Sequence, residues 1–520
     1  MKQHEQNPRP SDTSRRRRKR TGVDHFGTIS MIALMACSLV LFARLMATDL
    51  LAGKNIFLLV LGLLAVNAAS VIIQTPLRSN KMGKLISGVV ASLLCVAMLW
   101  GMSGVSSAQA ALARITGRLV ETDVIAVIVT ADDPAQQISD TYGYTFGYAE
   151  RLDTANTEEL LAHLDEALGG VETSASESLT DLVDALYDDN VGAIILNKGY
   201  ISLLEDKEEY ADFSEQTRII YEHTITREVE LPTGQGDVTA PFIVYCSGTD
   251  ARDSDLSVKS RSDTNILAVI NPSTRQVLLI NTPRDYYVPL HFNGEMDKLT
   301  HAGLYGINES MQTLDDLYGI TTPYYVRVNF NGLVDIVNAM GGIDVESPMA
   351  FSTVAMQIPN ADGTGFDWRT FDFPEGKVHL DGAQALAFSR ERYFFADGDN
   401  QRGKNQMTVI KGIVEKASSA AVLGNFQGFL KAVSDSFITN LSYEEMAKLA
   451  KLYQKGGGNW NITTYSVGMG YGDTNQYTYT YGYAWVMPPD YDTVNTAKEL
   501  IRQVMDGEIP VVPEEDELGY

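Results

Sequence analysis

PFIVYCSGTDARDSDLSVKSRSDTNILAVINPSTRQVLLINTPRD, residues 241–285, holds three strand signals and two of the chain's three clusters of arginine with carboxylate. Phe242-Ile243-Val244-Tyr245 is an apolar run ending in Gly248-Thr249-Asp250, and residues 265–270 and 277–280 are two more. Asn271-Pro272-Ser273-Thr274 is turn chemistry between the last two. Asp250 follows the first strand, Arg261-Ser262-Asp263 precedes the second, and Pro283-Arg284-Asp285 follows the third. Pairing of these strands as neighbours would bring the charged ends together.

The pattern continues downstream. Residues 306–318 read as a helix, 324–330 as a strand, and 333–340 as a helix closed by Gly341-Gly342. Asp381 with Gln384 three positions on has the form of a capping box, so a short helix through Leu386 would deliver Arg390 and Arg392. A longer helix is expected over 405–416 and a last one over 499–505. Strands alternating with helices predict an α/β fold: a mixed β-sheet covered by helices, spanning 241–420 and extended by 421–520.

The third cluster is Ser389-Arg390-Glu391-Arg392, followed by Asp399, Arg402 and Gln406. Its setting gives it meaning. Residues 1–105 hold 13 of the 41 Lys/Arg and 4 of the 66 Asp/Glu, which leaves 28 basic against 62 acidic residues in the remainder. An acidic body repels nucleic acid, so no nucleic-acid partner is expected. Arginines gathered within it point to a specific anion, because guanidinium forks match phosphate oxygens bidentately. Neighbouring carboxylates can hold the divalent ion that accompanies a pyrophosphate. No Ser-His-Asp set and no metal-ligand spacing of histidine is present.

Upstream, residues 120–235 read as a small α/β accessory domain. Residues 124–129 and 191–196 are buried-strand runs, with helical Leu/Ala spacing over 157–168 and 179–187. Before it lie three apolar stretches, about 26–47, 56–75 and 85–105, each long enough to cross a bilayer core of about 30 Å. The basic tail of residues 1–25, with its run Arg15–Arg20, and the loop carrying Arg78, Lys81 and Lys84 are expected in the cytoplasm by the positive-inside rule. Three spans then place the polar body outside. Only Cys246 of the three cysteines lies in that body, so no disulfide is expected there.

The segments at 247–252 (SGTDAR), 261–265 (RSDTN), 282–285 (TPRD), 335–345 (DIVNAMGGIDV), 380–392 (LDGAQALAFSRER) and 398–406 (GDNQRGKNQ) together resemble the LytR–CpsA–Psr family in order and spacing. The anchor and accessory domain are similar to those of capsule-associated members. The resemblance implies a Gram-positive cell membrane and a phosphotransferase on its outer face. The donor would be an undecaprenyl-pyrophosphate-linked capsular polysaccharide or wall teichoic acid, the acceptor peptidoglycan. Membrane lipid and capsule-assembly membrane proteins would be its other partners. It implies Mg²⁺ on Asp250 and Asp263, and pyrophosphate binding by Arg261, Arg284, Arg390, Arg392, Arg402 and Gln406. Asp285 and Asp399 would orient arginines or take the proton. Asn405 stands where many members have arginine. Two other readings share these residues: a lipid-pyrophosphate-binding regulator of capsule assembly, and a pyrophosphatase using water as acceptor.

Overall fold

A computed structural model describes residues 22–47, 53–75, 81–115, 120–229, 237–249, 255–360, 365–396, 398–417, 434, 436–442, 445, 448–449, 452 and 460–513. The Arg15–Arg20 run, Arg78 and Asp250 lie outside them. The chain forms two compact units, residues 1–107 and 108–520.

The first unit is helical: α1 (Gly22–Ala47), α2 (Gly53–Gln74) and most of α3 (Lys81–Ile115). All three contain a stretch long and apolar enough to cross a membrane. The third helix runs well beyond the apolar stretch read from sequence, because its last turns carry small and polar residues that propagate a helix without being apolar. Near the helix starts, Lys84 pairs with Asp24 at 2.8 Å and joins the beginnings of α1 and α3. In mid-span the Asn67 amide donates to Ser38 Oγ at 2.9 Å, linking α2 to α1.

The second unit contains two large sheets. The five-stranded one comprises β1 (Val120–Thr130), β2 (Thr145–Ala149), β3 (Glu172–Ser176), β4 (Ala193–Asn197) and β5 (Thr217–Glu228), in the order β3-β2-β4-β1-β5. Residues 124–129 of β1 are wholly apolar because the strand is interior to the sheet and packed on both faces. Helices α4 (Thr154–Leu168) and α5 (Leu179–Tyr187) cover it, and α6 (Ile201–Glu205) and α7 (Phe213–Gln216) lead into β5.

The larger sheet has six strands. Its centre is β6 (Phe242–Thr249), β7 (Ser262–Asn271) and β8 (Gln276–Asn281), an antiparallel meander. After the short ladder β9 (Tyr287–Pro289) and β10 (Met296–Lys298) come α8 (Leu299–Ala302), α9 (Ile307–Tyr318), and β11 (Tyr324–Asn329), which pairs parallel to β6. Next are α10 (Phe330–Ala339) and a lobe of small ladders: β12 (Ile343–Ser347), β13 (Phe351–Ser352), β14 (Met356–Pro359), β15 (Phe366–Arg369), β16 (Asp372–Phe373) and β17 (Gly376–Leu380). Then follow α11 (Gly382–Arg390), α12 (Asp399–Ala417), β18 (Phe437–Thr439), β19 (Asn461–Ser466), the hairpin β20 (Asn475–Thr478) and β21 (Gly482–Trp485), and α13 (Tyr491–Asp506). The sheet order is β18-β11-β6-β7-β8-β19.

Side chains alternate along the central strands, so each face builds its own core. Ile243, Tyr245, Leu267, Val269, Leu278 and Ile280 meet α9 and α13. Phe242, Val244, Ile266, Ala268 and Leu279 face the other way, toward Met407 of α12. The two large sheets are joined by backbone pairing as well as charge. Thr122 N–H donates to Ser257 O at 2.9 Å, Lys259 reaches Asp123 at 3.0 Å, and Glu121 accepts the Ile307 N–H at the start of α9 at 2.7 Å.

Candidate functional site

Two sequence elements place the charged residues at the end of the central strands. Pairing of β6 with β7 steps from Gly248↔Thr264 to Thr249↔Ser262, leaving Asp263 as an extra residue in a β-bulge. A bulge turns a side chain out of the pleat and is common beside functional sites. Asp263 is thus inside β7 rather than ahead of it. A Cβ at Gly248 would lie 2.6 Å from Thr264 Oγ1, so the close approach at this bulge requires glycine. The second element is the tight turn after β8. It carries Arg284 and Asp285 and is fixed at the main chain by Thr300 N–H on Arg284 O (2.8 Å) and Met487 N–H on Asp285 O (2.8 Å).

Asp263 is the hub. Its Oδ1 accepts from Arg284 Nη1 at 3.1 Å and from Thr300 Oγ1 at 3.2 Å. Burial alone would raise its pKa, but Arg284, Arg261 and Arg402 outweigh that and hold the carboxyl well below the usual range. Asp285 follows the same logic. Burial is opposed by Arg284 and by Lys298, whose Nζ lies 2.9 Å from Asp285 Oδ1, and the carboxyl stays below its ordinary value. The charge of Arg284 is reinforced in turn: burial disfavours it, and Asp263, Asp285 and Asp399 more than restore it.

Helix α12 begins at Asp399, six residues earlier than the sequence suggests. Asp399 and Arg402 are therefore one turn apart and pair at 2.9 Å, and Arg402 also reaches the Asp263 carbonyl at 3.4 Å. The polar run hid this turn because its side chains face charged groups, which leaves no apolar period to read. Gln406, on the same helix, is half-buried, and among the described residues no hydrogen bond ties it to the cluster. Asn405 is fully buried, with its Oδ1 accepting from Gln401 at 3.0 Å and its Nδ2 without a partner among the described residues.

Arg390 and Arg392 are held differently. The expected capping box at Asp381 and Gln384 is present and starts α11, which ends at Arg390. The Arg390 guanidinium lies over the Phe330 ring at 4.3 Å and donates to Gln357 O at 3.1 Å. Arg392 lies over Tyr393 at 4.9 Å and comes within 3.9 Å of Asp399. Glu391 between them is fully buried and accepts the main-chain N–H groups of Val354 and Phe394, so it braces the loop instead of neutralising its neighbours.

A cavity of about 360 Å³ opens beside Arg261, Arg284, Asp285, Lys298, Thr300 and His301. Several of its residues escaped the sequence reading. Asp206, from the accessory sheet's side, pairs with Arg261. Lys298 carries the only extra cation on Asp285 among the described residues. His301 Nδ1 sits 2.6 Å from Asp297, whose other oxygen accepts the Thr480 N–H at 2.9 Å. The sequence signal for these was at most Asp297-Lys298 followed by His301, a spacing that names no chemistry by itself.

The fit to a magnesium ion rests on two observations. Asp263 is held ionised, with both of its hydrogen bonds on Oδ1. Thr249 Oγ1, on the facing strand, is buried and without a partner among the described residues. The described residues alone contain no group of three His, Cys, Asp or Glu placed to hold a metal. Asp250, the other expected ligand, is outside them.

The LytR_cpsA_psr family profile matches residues 205–496, more than half of the chain. The chain belongs to that family. Among curated relatives, the Enterococcus faecalis polyisoprenyl-teichoic acid–peptidoglycan teichoic acid transferase TagU is 39% identical over 219 residues, covering 42% of this chain and 67% of the relative. The Bacillus licheniformis protein of the same name is 31% identical over 216 residues, covering 41% and 65%. The matches thus span about two thirds of the length of these LytR_cpsA_psr relatives. Of solved structures, TagV of B. subtilis is 24% identical, with a TM-score of 0.40, covering 52% of this chain and 99% of that one.

Proposed function

We propose that this LytR_cpsA_psr protein transfers a polyisoprenyl-pyrophosphate-linked anionic glycopolymer, a teichoic acid or capsular polysaccharide, to peptidoglycan. The names of its curated relatives support the reaction class. The observation that carries the reading is the gathering of Arg261, Arg284 and Arg402 about Asp263, beside a cavity of suitable size. With Lys298, Arg390 and Arg392 the described site has six cations; Asp206, Asp263, Asp285 and Asp399 are four carboxylates.

An acceptor hydroxyl attacks the phosphorus that bears the polymer. A phosphodiester forms, the bond to the bridging oxygen breaks, and polyisoprenyl phosphate leaves with the electron pair. Such transfer depends mainly on positioning and charge stabilisation. Arg284 is locked between Asp263 and Asp285, so its fork is preorganised and needs no rearrangement as charge develops. Asp285, committed to Lys298 and Arg284 and held low, orients the arginine. Asp399, paired with Arg402 at 2.9 Å, and Asp285, which lines the cavity, are the candidate proton acceptors. Magnesium, held by Asp263 and Asp250, would offset charge on the phosphate oxygens when bound.

The apolar helices anchor the protein in the membrane. The reading places the N-terminus inside and residues after α3 outside, and the Asp24–Lys84 pair supports a common side for the starts of α1 and α3. The decisive experiment incubates the purified protein with lipid-linked polymer, Mg²⁺ and peptidoglycan oligomers. A covalent polymer–peptidoglycan conjugate is expected. Release of free phosphorylated polymer alone would identify a pyrophosphatase, and binding without turnover a regulator.

A further inference from the structure

The hairpin β20–β21 puts an unusual face beside the cavity. Its register pairs Asn475 with Trp485 and Tyr477 with Tyr483. Successive residues of a strand point to opposite faces, so Asn475, Tyr477, Tyr483 and Trp485 share one. Tyr477 is 44% exposed, Tyr483 69% and Trp485 49%. Three large rings on a two-stranded hairpin would ordinarily be covered, and here the rest of the hairpin shows why they are not needed for packing. Thr480 is buried and bound by Asp297 and by Tyr305 (2.8 Å). The Tyr479 hydroxyl donates to Arg151 O at 2.8 Å, and the Tyr287 hydroxyl donates to Tyr477 O at 2.7 Å. The strand continues into Met487, which bonds the Asp285 carbonyl. The hairpin is fixed to the site by its buried side, and the aromatic side stays open. Tyr477 and Tyr483 meet edge-to-face, with centroids 5.6 Å apart.

We propose that this face is a saccharide platform that seats the pyranose rings of the acceptor glycan; the inference rests on the transferase reading above. The chemistry selects the ligand. A pyranose presents axial C–H groups of slight positive character, which stack on the negative face of an aromatic ring, while its equatorial hydroxyl and N-acetyl groups need polar partners. Asn475 and the tyrosine hydroxyls supply those. The face carries no charged side chain, which suits a glycan of N-acetylated amino sugars better than the phosphate-rich polymer. Its position commits it to the acceptor. Asn475, Tyr483 and Trp485 line the same cavity as Arg284, Asp285 and Lys298, so a glycan lying on the rings runs directly to the phosphoryl-transfer centre. A prenyl chain would favour a dry aliphatic groove instead of rings with polar tips beside ionic groups.

The test uses the full-length protein in detergent, with chitotetraose and a peptidoglycan tetrasaccharide as probes in titration calorimetry. Trp485→Ala and Tyr483→Ala should each weaken saccharide binding roughly tenfold, the equivalent of about 1.4 kcal/mol. They should raise KM for the glycan acceptor while leaving KM for lipid-linked polymer unchanged. Trp485→Phe should retain most of the binding. Trp485→Leu, which keeps apolar volume without a ring, should not. Trp368→Ala, an exposed aromatic on β15, should bind as wild type. Unchanged saccharide affinity in both alanine variants overturns the proposal. So does loss of phosphatidylglycerol-vesicle binding in place of saccharide binding, which would make the rings a membrane contact. Arg284→Lys separates this from the transferase reading: it should lose turnover and keep saccharide binding. Saccharide binding on the hairpin without any transfer by wild type would retain the platform and remove the transferase.

Discussion

The arginines of the site are held in two contrasting ways. Arg261 and Arg402 are buried and Arg284 half-buried, each against carboxylates at the end of a six-stranded sheet. Arg390 ends α11 and Arg392 lies just past it, with their guanidinium groups over Phe330 and Tyr393. Ion pairs fix position at the expense of field, because each carboxylate cancels part of the charge it holds. Aromatic stacking orients a guanidinium and leaves its charge available. Under the proposed transferase reading, the trio would seat the pyrophosphate rigidly, and the stacked pair, of which Arg392 also comes within 3.9 Å of Asp399, would flank it.

Arg284 offers the strongest way to break the comparison. Arg284→Lys keeps the charge and loses the planar fork, and turnover should fall roughly 100- to 1,000-fold. The fall should appear in kcat rather than KM if the fork meets charge on the leaving phosphate. A fully active variant with a lowered Tm would reduce Arg284 to a structural ion pair.

Asp263→Asn comes next. It strips Arg261, Arg284 and Arg402 of a shared counter-charge, and destabilisation of about 3 kcal/mol is expected from denaturant unfolding. Turnover and its magnesium dependence should fall as well. Unchanged activity and unchanged response to Mg²⁺ would remove Asp263 from the site. The pH dependence gives the sign. The Asp263 and Asp285 carboxyls lie below their unfolded values in the folded protein. Their contribution is complete above the unfolded pKa of about 3.9 and is lost as pH falls toward the folded values. The Tm difference between wild type and Asp263→Asn should be constant above about pH 5 and shrink in stronger acid. A difference that widened in acid would contradict the pairing.

The stacked pair should respond more gently. Arg390→Lys and Arg392→Lys should each lower turnover about tenfold with little change in Tm, since neither anchors the sheet. Phe330→Leu should act through Arg390, with a loss of about 1 kcal/mol, or roughly fivefold. Phe330→Leu without effect in the wild type, but with Arg390→Lys still impaired, would show that the ring does not orient the guanidinium.

What the sequence disclosed followed local rules. The three central strands, the helix Leu179–Tyr187 and the Asp381–Gln384 cap depend on neighbours a few residues apart, and each is where periodicity or capping puts it. The clusters at Asp263, Arg284 and Arg402 were legible as chemistry; the strand pairing brings Asp263 and Arg284 together and α12 adds Arg402. What stayed hidden depends on distant partners. The bulge that re-aims Asp263 exists only in the pairing with β6. Asp206 meets Arg261 across 55 residues of chain, and Thr480 meets Asp297 across 183. No local pattern encodes either contact. The first turn of α12 was missed for the opposite reason: it is local, but polar throughout.

The edge strand β19 pairs with β8 across about 185 residues, and α13 then covers the sheet face that bears Leu278 and Ile280. A polypeptide delivered N-terminus first presents β8, and the turn that carries Arg284, long before their cover exists. The half-built sheet would expose both an unpaired strand and an apolar surface meanwhile. Fragments ending before residue 461 should be protease-sensitive and prone to aggregate, so late-arriving residues act as a quality gate on the six-stranded sheet.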